Sequence, residues 1–248
     1  MDRDVLRRFV NEAGFVFRGR VHTHRAADAP PFPAEAGEAV TAHIEEVLRS
    51  TAVLRGLAGM EAIVVTRHAT ALTELHDVIL FTDCISLGQQ ILLREIGHVE
   101  ASSETSHQVA EAVREADERP LRERVAAADL IVTGEVVESR AIEQPFPPKS
   151  EHDAIWWIAR VTVASVLKGR RPRGEIEVLF ANSDDIVWYK SPKLHRGVSG
   201  ILLLHRIKED EAPADVPRSV YQATDPLDFL PADRLGEVER ALGERGDR

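Results

Sequence analysis

A single cysteine, Cys84, stands in the 248 residues. No intrachain disulfide can form, and a thiolate-rich metal site is excluded. The sequence has no HExxH, no GxSxG, no P-loop and no GxGxxG, the short patterns that carry hydrolytic zinc, a nucleophilic serine or a bound nucleotide. Long apolar runs are missing too. The opening MDRDVLRRFVNEAGFVF carries charges from its second residue, which predicts neither a signal peptide nor a membrane span. With one thiol, a reducing, cytoplasmic setting is expected. Positive charge is in deficit: the net charge is −10 and the isoelectric point about 5.5, the opposite of a general nucleic-acid coat.

What is present is the balance of a globular chain, 44% apolar and 29% charged, and an internal repeat. Residues 6–21 lie without a gap over residues 121–136, with Leu, Arg, Val, Ala, Gly and Val recurring in step. Further on, 42–49 answers 161–168, 61–66 answers 175–180, and Val78-Ile79-Leu80-Phe81 answers Ile201-Leu202-Leu203-Leu204. Four elements in one order predict one unit built twice.

Each unit reads as a short amphipathic helix followed by strands. Val5, Leu6, Phe9 and Val10 share a helical face, and Pro120 suits the first turn of the second helix. Phe15, Phe17, Gly19 and Val21 alternate with Val16, Arg18, Arg20 and His22, so the first set is expected to point inward. Gly19 and Gly134 in mid-strand mark a bulge or sharp bend. Trp157, Ala159, Val161 and Val163 share a face, and the slip of phase before Val166 signals another bulge. Gln89 to Val99 supplies a fifth strand in the first copy; Ser219 to Ala223 is the weaker counterpart.

The expected fold is mainly β with flanking helices: two tandem five-stranded, OB-like Greek-key barrels joined by a helical connector. The expected boundaries are 1–100 for the first barrel with its N-terminal helix, 101–128 for the connector, and 129–248 for the second barrel. Val109 and Val113 form the connector's stripe, and Pro231 to Leu242 closes the chain as an amphipathic helix with Leu235, Val238 and Leu242 inward. The stretches 26–36 and 144–150 are Pro-rich and expected to be irregular.

The pattern ADLIVTGEVVES, the strand ending Val166-Leu167-Lys168-Gly169, and Glu175-Ile176-Glu177-Val178 resemble the OB-like barrel of the TIMP and netrin-module superfamily, and a group of bacterial proteins carrying two such units. TIMP-like inhibitors are disulfide-stapled and reach a protease zinc with an N-terminal cysteine. This chain begins Met1-Asp2-Arg3, so that inhibitory mechanism does not carry over.

The densest polar and aromatic clusters flank strands of the second copy: Glu151, His152, Asp153 and Trp156, then Asp184, Asp185, Trp188, Tyr189, Lys190, Lys193, His195 and Arg196. If both segments meet at one barrel rim they form a recognition surface. The competing reading makes Trp157 and Trp188 core residues and the acids loop caps. Trp156, opposite in parity to Trp157, is expected on the outer or rim face with Arg160 and Thr162, where Trp is a strong interface anchor. Lys190, Lys193, His195 and Arg196 beside Trp188 and Tyr189 interleave bases with aromatics, as single-strand-binding barrels do. Asp184, Asp185, Glu209, Asp210 and Glu211 oppose phosphate.

His22 and His24 share a strand face but have no clear third ligand, so no metal site is expected there. Cys84 reads as an inert, buried thiol. The sequence therefore favours a non-catalytic module, without cofactor or metal, that binds another protein through its second barrel. Single-stranded nucleic-acid binding is the first alternative. A metal-dependent hydrolase using His152, Asp153 and the 184–195 segment is the second.

Overall fold

A computed structural model describes residues 2–23, 38–75, 77–87, 90–142, 152–207, 216 and 219–243. It divides into two compact units, Met1–Glu118 and Arg119–Arg248. The stretches 26–36 and 144–150, His24 and Glu151 lie outside the described residues.

In the first unit, helix α1 (Arg3–Glu12) starts at Asp2, whose carboxylate accepts the Asp4 N–H at 3.0 Å. Leu6 and Val10 are buried and Phe9 partly so, packed on Val16, Ile79, Phe81 and Val99. The strands are β1 (Phe15–Thr23), β2 (Glu38–Ser50), β3 (Glu61–Thr66), β4 (Val78–Leu87) and β5 (Ile91–Glu100). They form a closed barrel in the order β1-β2-β3-β5-β4, with β4 returning to β1. The β3–β5 pair is parallel and the other pairs are antiparallel. As the alternation predicts, Phe15, Phe17 and Val21 face the interior, with Val40, Ile44, Val64, Leu80 and Leu93. A short helix, α2 (Ala69–Glu74), drops Ala69 and Leu72 into the same core.

Helix α3 (Ser103–Ala127) corrects one expectation: Pro120 lies inside it rather than opening a second helix. An interior proline loses one backbone hydrogen bond and crowds the preceding turn. Here packing on both sides of it outweighs that cost. Val109, Ala112, Val113 and Ala116 are buried in the cluster that contains α1, while Leu121 and Val125 are buried against Ile131, Ile201 and Leu203 of the second unit. The Lys168 ammonium closes the C-terminal end by donating to the carbonyls of Val125, Ala126 and Ala128 at 2.9, 2.9 and 2.5 Å.

The second unit repeats the plan with β6 (Leu130–Ala141), β7 (Trp156–Lys168), β8 (Ile176–Ala181), β9 (Ser199–Arg206) and β10 (Tyr221–Gln222). The two-residue β10 pairs parallel with β8 and antiparallel with β9, which closes the second barrel in the order of the first. A strand the sequence did not signal, β11 (Phe229–Leu230), adds to β9. The closing helix α4 (Leu235–Gly243) buries Val238 and partly buries Leu235 and Leu242, as its pattern predicts.

The register makes the repeat quantitative. Gly19 pairs with Ile44 and Gly134 with Val163, each beside a bulge, and the next bulge on β2 and β7 follows in step, leaving Leu48 and Leu167 out of the register. Val40 pairs with Val64 and Ala159 with Val178, so Ala62 and Ile176 are equivalent, as the sequence alignment had it. The β4 and β9 alignment needs a one-residue correction. Gly19 pairs with Val78 and Gly134 with Gly200, so Val78 answers Gly200 and not Ile201. No helix among the described residues is long and apolar enough to cross a membrane.

Candidate functional site

The connection between β8 and β9, residues 182–198, crosses one end of the second barrel, and its local structure begins with Asp185. One carboxylate oxygen accepts the Val187 N–H at 2.8 Å and the Asp185 carbonyl accepts the N–H groups of Trp188 and Tyr189, which is the Asp-initiated turn that such a residue favours. The other oxygen lies 2.9 Å from His152 Nδ1. The Asp185 carboxyl is held below its usual range first by the Val187 N–H and then by His152.

A second tie follows from the turn. Trp188 Nε1 donates to the His152 carbonyl at 2.8 Å, and its ring meets Trp156 edge-on with centroids 5.6 Å apart. The two segments singled out in the sequence therefore come together, joined by His152, Trp156, Asp185 and Trp188. Trp156 also packs on Ile158, Leu179 and Val220 outside the barrel, while Trp157 packs within it. Both are half-buried.

Tyr189 and Lys190 continue the turn at the surface, the Lys190 ammonium 5.5 Å from the Tyr189 ring centre. Asp153, Asp184 and Arg196 are also exposed. His195, although exposed, stands edge-on to Trp157 and Phe180 at 5.9 and 6.2 Å, and Leu194 beside it is buried in the core. These residues stopper the barrel.

Lys193 has a structural assignment. Its ammonium donates to the carbonyls of Ala181, Ser183 and Trp188 at 2.9, 2.7 and 3.1 Å, gathering the turn from beneath. Burial pushes its pKa down, against the pull of Asp184. Replacing it with methionine leaves three carbonyls without their shared donor. Lys193→Met is expected to cost about 2 kcal/mol and to speed amide exchange across residues 185–191, checked by denaturation and exchange mass spectrometry; unchanged exchange there contradicts the assignment.

Sequence reasoning missed the apolar character of this surface. Of the seven large apolar side chains most exposed among the described residues, Ile155, Ile186, Val187 and Tyr189 lie here, at 47%, 76%, 58% and 54% exposure. The run Ile186-Val187-Trp188-Tyr189 was the available signal, but apolar residues next to strands read equally well as core. Beside them opens a pocket of about 260 Å³ whose lining includes Arg124, Val187, Trp188, Lys190 and Asp225. A larger cavity, about 450 Å³, lies where Gly134, Thr162 and Gly200 approach Leu235, and none of the candidate residues lines it.

In the first unit His22 is exposed, its ring centre 6.3 Å from that of His43, and His43 Nδ1 lies 3.0 Å from Glu61. Cys84 is partly buried against the barrel core. No protein-family model matches the chain, and no curated protein matches it significantly.

Proposed function

We propose that the chain is a binding module that recognises a protein partner through the 152–156 and 183–190 surface of its second barrel. The observation that carries this reading is the concentration of exposed Ile155, Ile186, Val187 and Tyr189 around the half-buried Trp156–Trp188 pair. A contiguous apolar patch costs solvation free energy unless something covers it, and aromatic anchors beside a pocket are where protein interfaces concentrate their binding energy. The strand order, with its parallel closure, supports the OB-like reading of each barrel and the likeness to the TIMP and netrin modules. A lone cysteine supports a cytoplasmic setting.

Nucleic acid fits this surface less well. Lys193 is committed to three carbonyls, and the exposed Asp153 and Asp184 belong to the same two segments as the exposed Lys190 and Arg196. The test is recovery of a partner by the tagged full-length chain from native lysate, compared across variants. Ile186→Asp with Val187→Asp changes two exposed side chains without opening the core. A protein held by wild type and by Val53→Asp, the exposed first-barrel control, should fall at least about tenfold with the double variant. Equal recovery removes the proposed surface, and recovery that depends on nuclease-sensitive material favours the nucleic-acid alternative.

A further inference from the structure

A bulge in β5 builds a second polar cluster, in the first barrel. Phe81 pairs with Gly97 and Thr82 with Glu95, so Ile96 has no partner across the sheet. In a regular strand, residues three apart face opposite sides. The extra residue reverses that parity. Ile91 and Leu93 point into the barrel before the bulge, whereas Ile96 and Val99 pack outward with α1. Glu95 and His98 consequently share the interior face, together with Thr66 at the end of β3 and His68 just beyond it.

The cluster is tightly organised. His98 Nδ1 lies 2.5 Å from one Glu95 oxygen and His68 Nδ1 3.5 Å from the other, which also accepts the Thr66 hydroxyl. The Thr66 oxygen in turn accepts the His68 N–H at 2.8 Å. Side-chain exposure grades from 3% at Glu95 through 19% at His98 to 61% at His68. One ring nitrogen from each of His68 and His98 and a Glu95 carboxylate oxygen lie within 4.8 Å of one another, the one such group of three among the described residues.

The other barrel shows what this place holds when only packing is required. Val64 and Val178 are equivalent, and they pair with Leu93 and Tyr221 respectively. Two residues further along, Thr66 and Glu95 of the first barrel correspond to Phe180 and Ala223 of the second, both fully buried and apolar. A buried carboxylate facing two imidazoles is a costly substitute for a phenylalanine and an alanine unless it holds something.

We infer that His68, Glu95 and His98 form a binding site for one divalent transition-metal ion of the zinc class, with Thr66 orienting the carboxylate. Two imidazoles and a carboxylate are a ligand set that zinc takes at about 2.0–2.1 Å, which places the ligand atoms about 3.3 Å apart in a tetrahedron. The separations of 2.5 and 3.5 Å to the two carboxylate oxygens bracket that spacing, so small rotations suffice. Each imidazole would present Nδ1 and carry its proton on Nε2. The exposed His68 side leaves the fourth position to water, the arrangement of a reactive rather than a closed structural site.

The test uses the full-length chain, stripped with a chelator and titrated with zinc chloride by calorimetry, and with cobalt chloride by visible absorption. Expected are one ion per chain and the bands of four-coordinate cobalt. His68→Ala, which removes an exposed side chain, and His98→Ala should each weaken zinc binding by at least about 100-fold, and Thr66→Val by about tenfold. His22→Ala should bind as wild type. Failure to take up either metal overturns the site, as does undiminished binding by folded His68→Ala, judged folded by circular dichroism. This outcome is independent of the second-barrel surface, which the Ile186 and Val187 variant tests alone.

Discussion

Asp228→Ala lowers the stability of the second unit by about 3–5 kcal/mol, the usual result of stranding one partner of a buried ion pair. Asp228 is completely buried, where it accepts the Arg124 guanidinium through both oxygens at 2.5 and 2.7 Å. It also accepts the N–H groups of Thr224 and Asp225 at 2.8 and 2.9 Å, closing a capping box with Asp225. His205 Nε2 stands 3.3 Å away, off the line of a hydrogen bond. One carboxylate therefore joins α3, β9 and the 224–228 turn. Removing it leaves Arg124 and two N–H groups without their acceptor.

The same site sets a pH dependence. Burial pushes the Asp228 carboxyl up, but contacts with His205, Arg124 and the Asp225 N–H outweigh burial and hold it below its ordinary value of 3.8. A carboxyl depressed in the fold stabilises it at pH values above the unfolded pKa, and that contribution is lost as the pH falls through the folded pKa. Wild type should thus lose this stability below about pH 4, while Asp228→Ala lacks it at every pH and shows a flatter acid limb. Trp156, Trp157 and Trp188 are the chain's three tryptophans and all lie in the second unit, so their fluorescence during urea unfolding reads the effect there.

Gly19→Ala is the second large effect. A Cβ at Gly19 would lie 2.1 Å from the His43 carbonyl oxygen, against 2.7 Å between a Cβ at Gly134 and the Thr162 oxygen. Backbone on both sides of the bulge must separate to admit a methyl group. Overfilling a packed site costs about 1–3 kcal/mol, and a contact this short with backbone belongs at the top of that range. Gly19→Ala should cost about 3 kcal/mol and Gly134→Ala about half as much. Amide exchange across β1 and β2, then across β6 and β7, measures the two; equal and negligible changes would mean the bulges carry no close approach.

These glycines also show why so much of the fold was legible. A mid-strand glycine and a slip of phase are local signs, and both repeat at a fixed offset, so strands, bulges and inward faces could be read from alternation. Of the two-residue elements, β10 falls within the weakly signalled stretch 219–223, whereas β11 is too short to carry a period. Pro120 followed its local preference on paper, but buried contacts on either side of it in α3 prevailed. At the site, residue type brought His152, Trp156, Asp185 and Trp188 to notice, yet only the turn started by Asp185 shows that they touch. Lys193 looked like a phosphate ligand because nothing in a sequence shows that an ammonium is enclosed by carbonyls. Glu95 and His98 were invisible because three residues apart is the wrong parity for a strand, and the bulge at Ile96 that corrects it has no glycine at the extra position.

The two closures decide the account. Nuclear magnetic resonance of the labelled chain should show parallel pairing twice, with cross-strand contacts linking Ala62 to Ile91 and Val64 to Leu93, and Val178 to Tyr221. Antiparallel contacts at either place, or an open edge along β3 or β8, would contradict a single strand plan used twice and, with it, both sites built on the barrel ends.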